Sequence, residues 1–182
     1  LQLCPVFTLS GSDRELVEGP PEGRRALLDR FAFLISPSHL DALRAYQRAL
    51  RQRNAAISGA GTDDQVGLWE APLAAAGARV VMARRAAAER LGGNFARLYP
   101  AIAGDGALDV RVTYRVDGWL DGISAQDEVE ERLQKRYNET RPRDRRKGLT
   151  GDGPHRHDVG LRADDKIVRH TLSSGQTKVV AA

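Results

Sequence analysis

The sequence is poor in cysteine and methionine, with one residue of each, and it lacks long apolar runs. The single cysteine, Cys4, excludes an internal disulfide bond and fits a reducing compartment. No apolar run approaches the roughly 20 residues that a membrane-spanning helix needs, and no signal peptide opens the chain. These absences predict a cytoplasmic protein without a membrane partner.

Recognisable catalytic motifs are also missing. The 182 residues contain no G-x-x-x-x-G-K-[ST] phosphate loop, and spacing yields no serine–histidine–acid set. Hydrophobic residues make up 41% and charged residues 29% of the chain, which is ordinary for a globular protein. The length allows one sizeable core, or a core plus a small satellite. The net charge of +4 and the isoelectric point near 9.6 favour a polyanionic partner without establishing one.

Hydrophobic periodicity predicts helices over the first half of the chain. A helix is expected from about residue 22 to 35, a second after Ser38, and a long third one with a kink or break at Gly92-Gly93. The second and third helices are amphipathic, so we expect them to pack as an antiparallel pair. Their apolar stripes include Leu43, Leu50, Val80, Ala87, Leu98 and Ile102.

The hydrophobic period then changes to that of strands. Residues 109–116 alternate polar and apolar, which predicts a half-buried strand, and extended segments at 158–162 and 166–170 predict a hairpin. Between them a fourth helix is expected, followed by a basic loop from Arg141 onward. The apolar face of that helix carries Val129, Leu133 and Tyr137. The predicted fold class is α+β, with a helical lobe and short strands.

Near its end the chain carries a polar turn, Leu172-Ser173-Ser174-Gly175-Gln176, which runs into an apolar segment. If that segment begins a helix, backbone N–H groups, a serine hydroxyl and the helix dipole all point at one place. Such a site suits an anion, above all a phosphate group. The alternative is an ordinary serine-capped helix without a ligand.

A second polar turn, Gly153-Pro154-His155-Arg156, lies about twenty residues upstream. Pro154 fixes its own φ angle and favours an extended Gly153, so the turn should be rigid. His155 and Arg156 then either face a nucleotide or an interface, or anchor the loop to the following strand. His155 and His157 complete no ligand spacing, so we expect no metal site.

Basic residues form two groups that could contact DNA phosphates. One group is Arg141, Arg143, Arg145, Arg146 and Lys147, and the other is Arg44, Arg48 and Arg51 on one helical face. A solvated surface is the alternative for both groups. No aromatic residues lie among them, so stacking on single-stranded bases has no support.

Four ordered segments resemble the RecF family of bacterial DNA-repair ATPases, which are ABC-type heads related to the SMC proteins. The family's G-x-P-x-x-R-R-x-x-L-D is matched by residues 19–29, and its Y-x-R-A-L-x-Q-R-N by residues 46–54. Its G-P-H-[RK]-x-D is matched by residues 153–158, and its L-S-x-G-Q signature by residues 172–176. The resemblance therefore extends over the whole chain.

The resemblance implies a division of the chain into pieces of an ABC-type head and an inserted lobe. Residues 1–20 would belong to the head, and residues 21–145 would form the helical lobe, with a strand near 109–116. Residues 146–182 would return to the head with the G-P-H-R loop, a hairpin and the signature. In such dimers the signature contacts the ATP of the opposite subunit, through Ser173, Gly175 and Gln176.

For the whole protein, the resemblance implies ATP and Mg²⁺ as ligands and dimerisation on ATP. It also implies binding to DNA gaps or single-strand/double-strand junctions, together with recombination mediator proteins. The phosphate loop and the Walker B segment of the family are absent, so we expect no catalytic residue and no ATP hydrolysis in these 182 residues alone. We interpret them as the middle of a longer protein. The alternatives are a non-catalytic protein-interaction module and another SMC-like head.

Overall fold

The computed structural model describes residues 16, 18–59, 61–103, 109–163 and 166–167. The helices are α1 (Pro21–Ile35), α2 (His39–Ser58), α3 (Asp63–Gly67), α4 (Glu70–Ala103) and α5 (Gln126–Lys147). The strands are β1 (Val110–Arg115), β2 (Asp158–Ala163) and β3 (Lys166–Ile167). A mostly helical body with one small sheet confirms the predicted α+β class.

Helices α2 and α4 form the predicted antiparallel pair. Tyr46 lies against Gly77, whereas Arg53, later in α2, bonds Glu70 at the start of α4. The buried stripe of α2 consists largely of small or polar residues, and its alanines let α4 approach closely. The leucines therefore flank the contact. Val80 and Ala87 are buried as predicted, while Leu43 and Leu50 are half-buried.

Helix α4 continues through Gly92-Gly93, so the predicted break is wrong. A Cβ atom on Gly92 would lie 3.3 Å from the carbonyl oxygen of Val112 in β1. Glycine therefore serves the close approach of a strand to the helix and does not interrupt the helix. The predicted stripe also fails near the end of α4, because Leu98 and Ile102 are exposed and Tyr99 is buried instead.

By length and composition alone, the segment Asp63–Ile102 could cross a membrane. Half of its most apolar window, however, is buried inside the protein, where α4 packs against α1, α2, α5 and β1. Helix α4 also carries the buried, ion-paired Arg84. We therefore interpret α4 as the core helix of the fold.

The strands form an antiparallel sheet in the order β1-β2-β3. Val112 faces Leu161 and Tyr114 faces Val159 across β1 and β2. Their side of the sheet packs against α1 and α4, in a cluster formed by Leu28, Ala32, Ala87, Ala88 and Val159. The strand at 109–116 and the hairpin are confirmed within the described residues; the turn at 164–165 lies outside them.

Helix α5 buries Val129, Leu133 and Tyr137, as predicted. It continues to Lys147, where Gly148 ends it with a left-handed φ of +74°. The expected basic loop from Arg141 onward is therefore wrong for Arg141–Lys147. Three cations lie in the last turn of the helix, at the negative end of its dipole, and therefore stabilise this end of the helix. The boundary proposed above between the helical lobe, residues 21–145, and the second head piece, residues 146–182, lies inside this helix.

Candidate functional site

Three of the four motif segments meet at the G-P-H-R turn. The segment at 19–29 leads into α1 and forms its first part, and the segment at 46–54 lies in α2. Both contact residues 150–158. We call residues 150–158 the junction loop, because it connects α5 to β2. Each contact fixes a different part of this loop.

The carbonyl of Pro154 is held by a buried ion pair. Arg84 donates from Nη1 to this oxygen at 2.7 Å, and its Nε and Nη2 donate to the two carboxylate oxygens of Asp29 at 2.8 Å each. Nε2 of His39 also donates to Asp29, at 2.9 Å. Burial alone would raise the pKa of Asp29, but the bonds and charges of Arg84 and His39 lower it overall. The pair thus remains ionised and connects α1, α4 and the junction loop.

The end of the junction loop is held by two arginines of α1. Arg24 donates to both carboxylate oxygens of Asp158, at 2.8 and 2.9 Å, and Arg25 donates to the carbonyl of His157 at 2.9 Å. Burial would raise the pKa of Asp158, but Arg24 and a backbone N–H lower it overall. Strand β2 therefore begins at a fixed position relative to α1.

His155 is an anchor within the junction loop. Its Nε2 lies 3.1 Å from the carbonyl oxygen of Thr150, which can only accept, so Nε2 carries the proton. Nδ1 then accepts from the Tyr46 hydroxyl at 2.7 Å. Burial lowers the pKa of His155 to about 4, against a weaker opposite effect of the Thr150 carbonyl. The ring is therefore neutral at pH 7, with both nitrogens occupied.

Gly153 is required by its conformation and by its neighbours. Its φ is +120°, and an added Cβ would lie 2.6 Å from the hydroxyl oxygen of Tyr137 and 2.9 Å from that of Tyr46. The N–H of Arg156 donates to the Gly153 carbonyl at 2.8 Å, which closes a turn with Pro154 at its second position. The rigidity predicted from the proline is thus reinforced by packing.

His157 is likewise occupied. Nε2 donates to Asp117 at 3.3 Å, and Nδ1 accepts from the Tyr114 hydroxyl at 2.7 Å. Burial lowers the pKa of His157 despite the nearby Asp117 carboxylate. The two histidines of the junction loop thus bond different residues: His155 bonds Tyr46 and Thr150, and His157 bonds Tyr114 and Asp117. Within the described ranges, no group of three possible ligands could hold a metal ion.

Arg53 is the largest fully buried side chain of the described structure, and its environment was not predicted. Its guanidinium donates to Asp144 at 2.9 Å, to Thr150 Oγ1 at 2.8 Å and to Glu70 at 3.2 Å. It also donates to the Tyr137 carbonyl at 3.0 Å. Two signals were available: position 53 continues the buried stripe of α2, and it is an arginine of the segment at 46–54 that resembles the RecF family.

The basic group of α5 is largely neutralised by carboxylates of the same chain. Arg141 bonds both oxygens of Glu70, at 3.0 and 2.7 Å, and Arg143 donates to Asp152 at 2.9 Å. Arg145 pairs with Asp63 at 2.7 Å. The other two members, Arg146 and Lys147, are exposed and make no ion pair within the part of the chain that the structure describes.

Arg156 differs from its neighbours in the junction loop. The side chains of Thr150, Asp152, His155, His157 and Asp158 are all bonded to other parts of the protein or the loop itself. Arg156 is exposed, and its side chain has no hydrogen-bond or ion-pair partner among the described residues. The signature residues Ser173, Gly175 and Gln176 lie outside the described residues.

The chain is similar in sequence to bacterial proteins named DNA replication and repair protein RecF. It is 38% identical to that of Anaeromyxobacter strain Fw109-5 over 168 residues, which is 92% of this chain and 45% of the relative. The corresponding values are 33% over 175 residues for Symbiobacterium thermophilum, at 95% and 46%, and 30% over 177 residues for Nitrosococcus oceani, at 96% and 46%. The chain thus spans about half the length of the curated relatives it matches. No protein-family model matches the chain.

Solved structures share the fold. The structure of the recombination mediator protein RecF with ATP superposes with a TM-score of 0.85 at 23% identity, over 95% of this chain and 47% of that one. A second RecF structure from the same pathway, with an ATP analogue, gives a TM-score of 0.87 over the same shares of both chains. The relatives and the fold agree with the motifs that meet at the junction loop. The chain belongs to the RecF family.

Proposed function

We propose that the chain is the part of an ATP-dependent DNA-binding protein that carries the helical lobe and the ABC signature. The whole protein would act in recombinational repair and replication restart, in the bacterial cytoplasm. It would dimerise on ATP, hydrolyse it slowly and work at DNA gaps or junctions with recombination mediator proteins. The supporting observation is identity of 30–38% to RecF proteins over most of this chain, on a fold shared with RecF structures.

In this proposal the chain contributes only the signature to an ATP site that two subunits share. No phosphate loop or Walker B segment is present in its sequence, so the main grip on ATP and Mg²⁺ would lie outside these residues. The signature would act on the nucleotide of the opposite subunit. In this role Ser173 supplies a hydroxyl, Gly175 a closely approaching N–H and Gln176 a flanking contact. The catalytic residues of the shared site would then lie outside these 182 residues.

The junction loop gives the helical lobe a firm connection to the strand that leads toward the signature. Three buried arginines bond the loop to helices of the lobe: Arg24 of α1 to Asp158, Arg53 of α2 to Thr150 and Arg84 of α4 to the Pro154 carbonyl. In the proposed function Arg156 faces a nucleotide or a subunit interface, and His155 keeps the turn in place. This division of roles rests on their environments, since His155 is bonded through both ring nitrogens and Arg156 is exposed.

The ion pairs of α5 reduce the number of its basic residues that are available to contact DNA. Arg141, Arg143 and Arg145 are each bonded to a carboxylate, so contacting DNA would require breaking those pairs or sharing the guanidinium. Arg146 and Lys147 need no such rearrangement, so within this group we assign phosphate contact chiefly to them.

Analytical ultracentrifugation of the intact protein tests this proposal against the non-catalytic module. We expect a monomer without nucleotide and a dimer with ATP and Mg²⁺. An intact protein that binds ATP tightly but sediments identically with and without it would favour the interaction module. A DNA-binding assay separates the third possibility. Another SMC-like head would dimerise with ATP but would show no preference for gapped DNA over blunt duplex.

A further inference from the structure

Two basic segments that are far apart in the sequence lie side by side in the fold. Arg145, in the last turn of α5, donates to the carbonyl of Gly61, just beyond the end of α2. After α5 the chain runs back along α2, because the backbone N–H of Thr150 donates to Asn54 Oδ1 at 2.8 Å. The end of α5 therefore lies beside the second half of α2.

Each segment contributes two cations close to these bonds. On α2, Arg51 lies one turn before Asn54 and therefore on the same side of the helix, and Arg48 lies one turn earlier again. On α5, Arg146 and Lys147 are the last two residues of the helix, a few residues before the bonded Thr150. We call Arg48, Arg51, Arg146 and Lys147 the basic edge.

The four charges of the basic edge are available to a partner. All four side chains are exposed, and none has a hydrogen-bond or ion-pair partner within residues 16, 18–59, 61–103, 109–163 and 166–167. Neighbouring arginines differ, because each lies near a carboxylate: Arg44 is 3.9 Å from Asp41, Arg143 is 2.9 Å from Asp152, and Arg145 is 2.7 Å from Asp63. For this reason we leave these three arginines out of the basic edge.

Helix α5 is acidic at its start and basic at its end. Its first turns carry Asp127, Glu128, Glu130 and Glu131. Its last exposed carboxylate, Glu139, is seven residues before Arg146, which is roughly 10 Å along the helix axis. Asp64 of α3 lies near Arg141. A polyanion is therefore attracted to the basic edge and repelled by the opposite end of the same helix.

The size and chemistry of the basic edge fit a chain of phosphates. Arg48 and Gly61, which marks the level of the end of α5, are 13 residues apart, or roughly 20 Å at 1.5 Å per residue. This length exceeds one phosphate group and equals about six base pairs at 3.4 Å each. A protein interface would have an apolar or aromatic core, whereas Leu149 is the one large apolar residue of the segment 146–150. Arginine and lysine contact phosphates without reading the base sequence.

We propose that the basic edge binds the phosphate backbone of duplex DNA as one surface formed by α2 and the end of α5. This inference rests on the proposed function, because it requires that the intact protein bind DNA. It adds Arg48 and Arg51 to the phosphate contacts assigned above to Arg146 and Lys147.

The salt dependence of DNA binding by the intact protein tests whether both helices contribute. The variants are Arg48→Gln with Arg51→Gln, Arg146→Gln with Lys147→Gln, and all four changes together. Glutamine has a helix propensity close to that of arginine and lysine, so these changes at exposed positions should leave the fold intact. The probe is a fluorescein-labelled gapped DNA duplex, followed by anisotropy with ATP and Mg²⁺ at about 50–200 mM salt.

Each lost contact with duplex phosphate should reduce the slope of log K against log salt by about 0.9. We therefore expect a reduction of about 1.8 per subunit in each double variant and about 3.6 in the fourfold variant. The matched control is Arg132→Gln with Lys135→Gln, which removes the same two charges from exposed positions nearer the acidic start of α5. Each of these two residues lies one turn after a glutamate, Glu128 or Glu131, so we expect the control to keep the wild-type slope.

The outcomes separate the two proposals. Wild-type protein that fails to bind DNA contradicts the proposed function. Wild-type protein that binds, with an unchanged slope in either double variant of the basic edge, overturns the shared surface alone, because only one helix or neither would then contact the duplex. An equal loss of slope in the control would also overturn it, because the effect would then follow net charge and not location.

Discussion

Replacing Arg53 with methionine tests whether the buried ion pairs hold the junction loop. Methionine keeps an unbranched side chain of similar reach but removes the charge that Asp144 and Glu70 share. Glu70 retains Arg141, so its charge stays compensated. Asp144 is fully buried and retains only the weaker bonds from Arg143, Thr140 and a backbone N–H.

Breaking a buried pair by removing one partner costs about 3–5 kcal/mol, because the other charge stays buried. We therefore expect Arg53→Met to lower the free energy of unfolding by about 4 kcal/mol, a large share of the roughly 5–15 kcal/mol typical of a domain. Urea unfolding of the 182-residue chain, followed by circular dichroism at pH 7, measures this change.

Arg51→Met is the matched control, because Arg51 is exposed on the same helix. It should change the unfolding free energy by no more than about 0.5 kcal/mol. If Arg53→Met also stays within about 1 kcal/mol of wild type, the buried network does not stabilise the junction loop as argued.

Three further predictions concern the junction loop and the nucleotide. The pKa of His155 is about 4 in the folded chain against an ordinary 6.5, so its contribution to stability is full above pH 6.5 and is lost as the pH falls toward 4. Between pH 7 and pH 5 this loss is about 2 kcal/mol, and urea unfolding of His155→Gln should lack it; an unchanged pH dependence would contradict the assignment. Gly153→Ala should cost about 1–3 kcal/mol or more in the same assay, from its positive φ and its overlap with the Tyr46 and Tyr137 hydroxyls, and a neutral effect would refute that packing. The purified 182-residue chain should show no ATP turnover in a phosphate-release assay, and turnover that persists through further purification would mean that it contains a complete site.

Periodicity predicted most helices and strands because core-facing positions repeat at the period of each element. The stripe of α5 and the alternation in β1 are clear examples. Periodicity failed where one contact overrides local preference. Gly92 reads as a helix breaker, yet its missing side chain admits the backbone of β1. The end of α5 was predicted to be a loop because it is basic, yet Arg141 and Arg143 bond carboxylates that hold the helix in place.

The motifs located the candidate site, but the sequence did not reveal how it is built. Asp158 and its partner Arg24 are 134 residues apart, and Asp144 and Arg53 are 91 apart. No local pattern specifies such pairs, because only the packed fold brings them together. Likewise, nothing in the sequence distinguished His155, which is buried and bonded, from Arg156, which is exposed one residue later.

The central claim is that the signature of this chain acts on ATP held by another subunit. Ser173→Arg in the intact protein places a bulky cation where the γ-phosphate would lie and removes the hydroxyl. We expect this variant to bind ATP as a monomer with nearly normal affinity, but not to dimerise with it. A variant without a working phosphate loop should neither bind ATP nor dimerise.

The most direct measurement is sedimentation of these two variants mixed in the presence of ATP and Mg²⁺. One shared site of the two is then complete, formed by the phosphate loop of the Ser173→Arg subunit and the unaltered signature of the other. We predict that dimers appear in the mixture and in neither variant alone. Normal ATP-dependent dimerisation of Ser173→Arg by itself would contradict the claim and leave the signature as a capped helix.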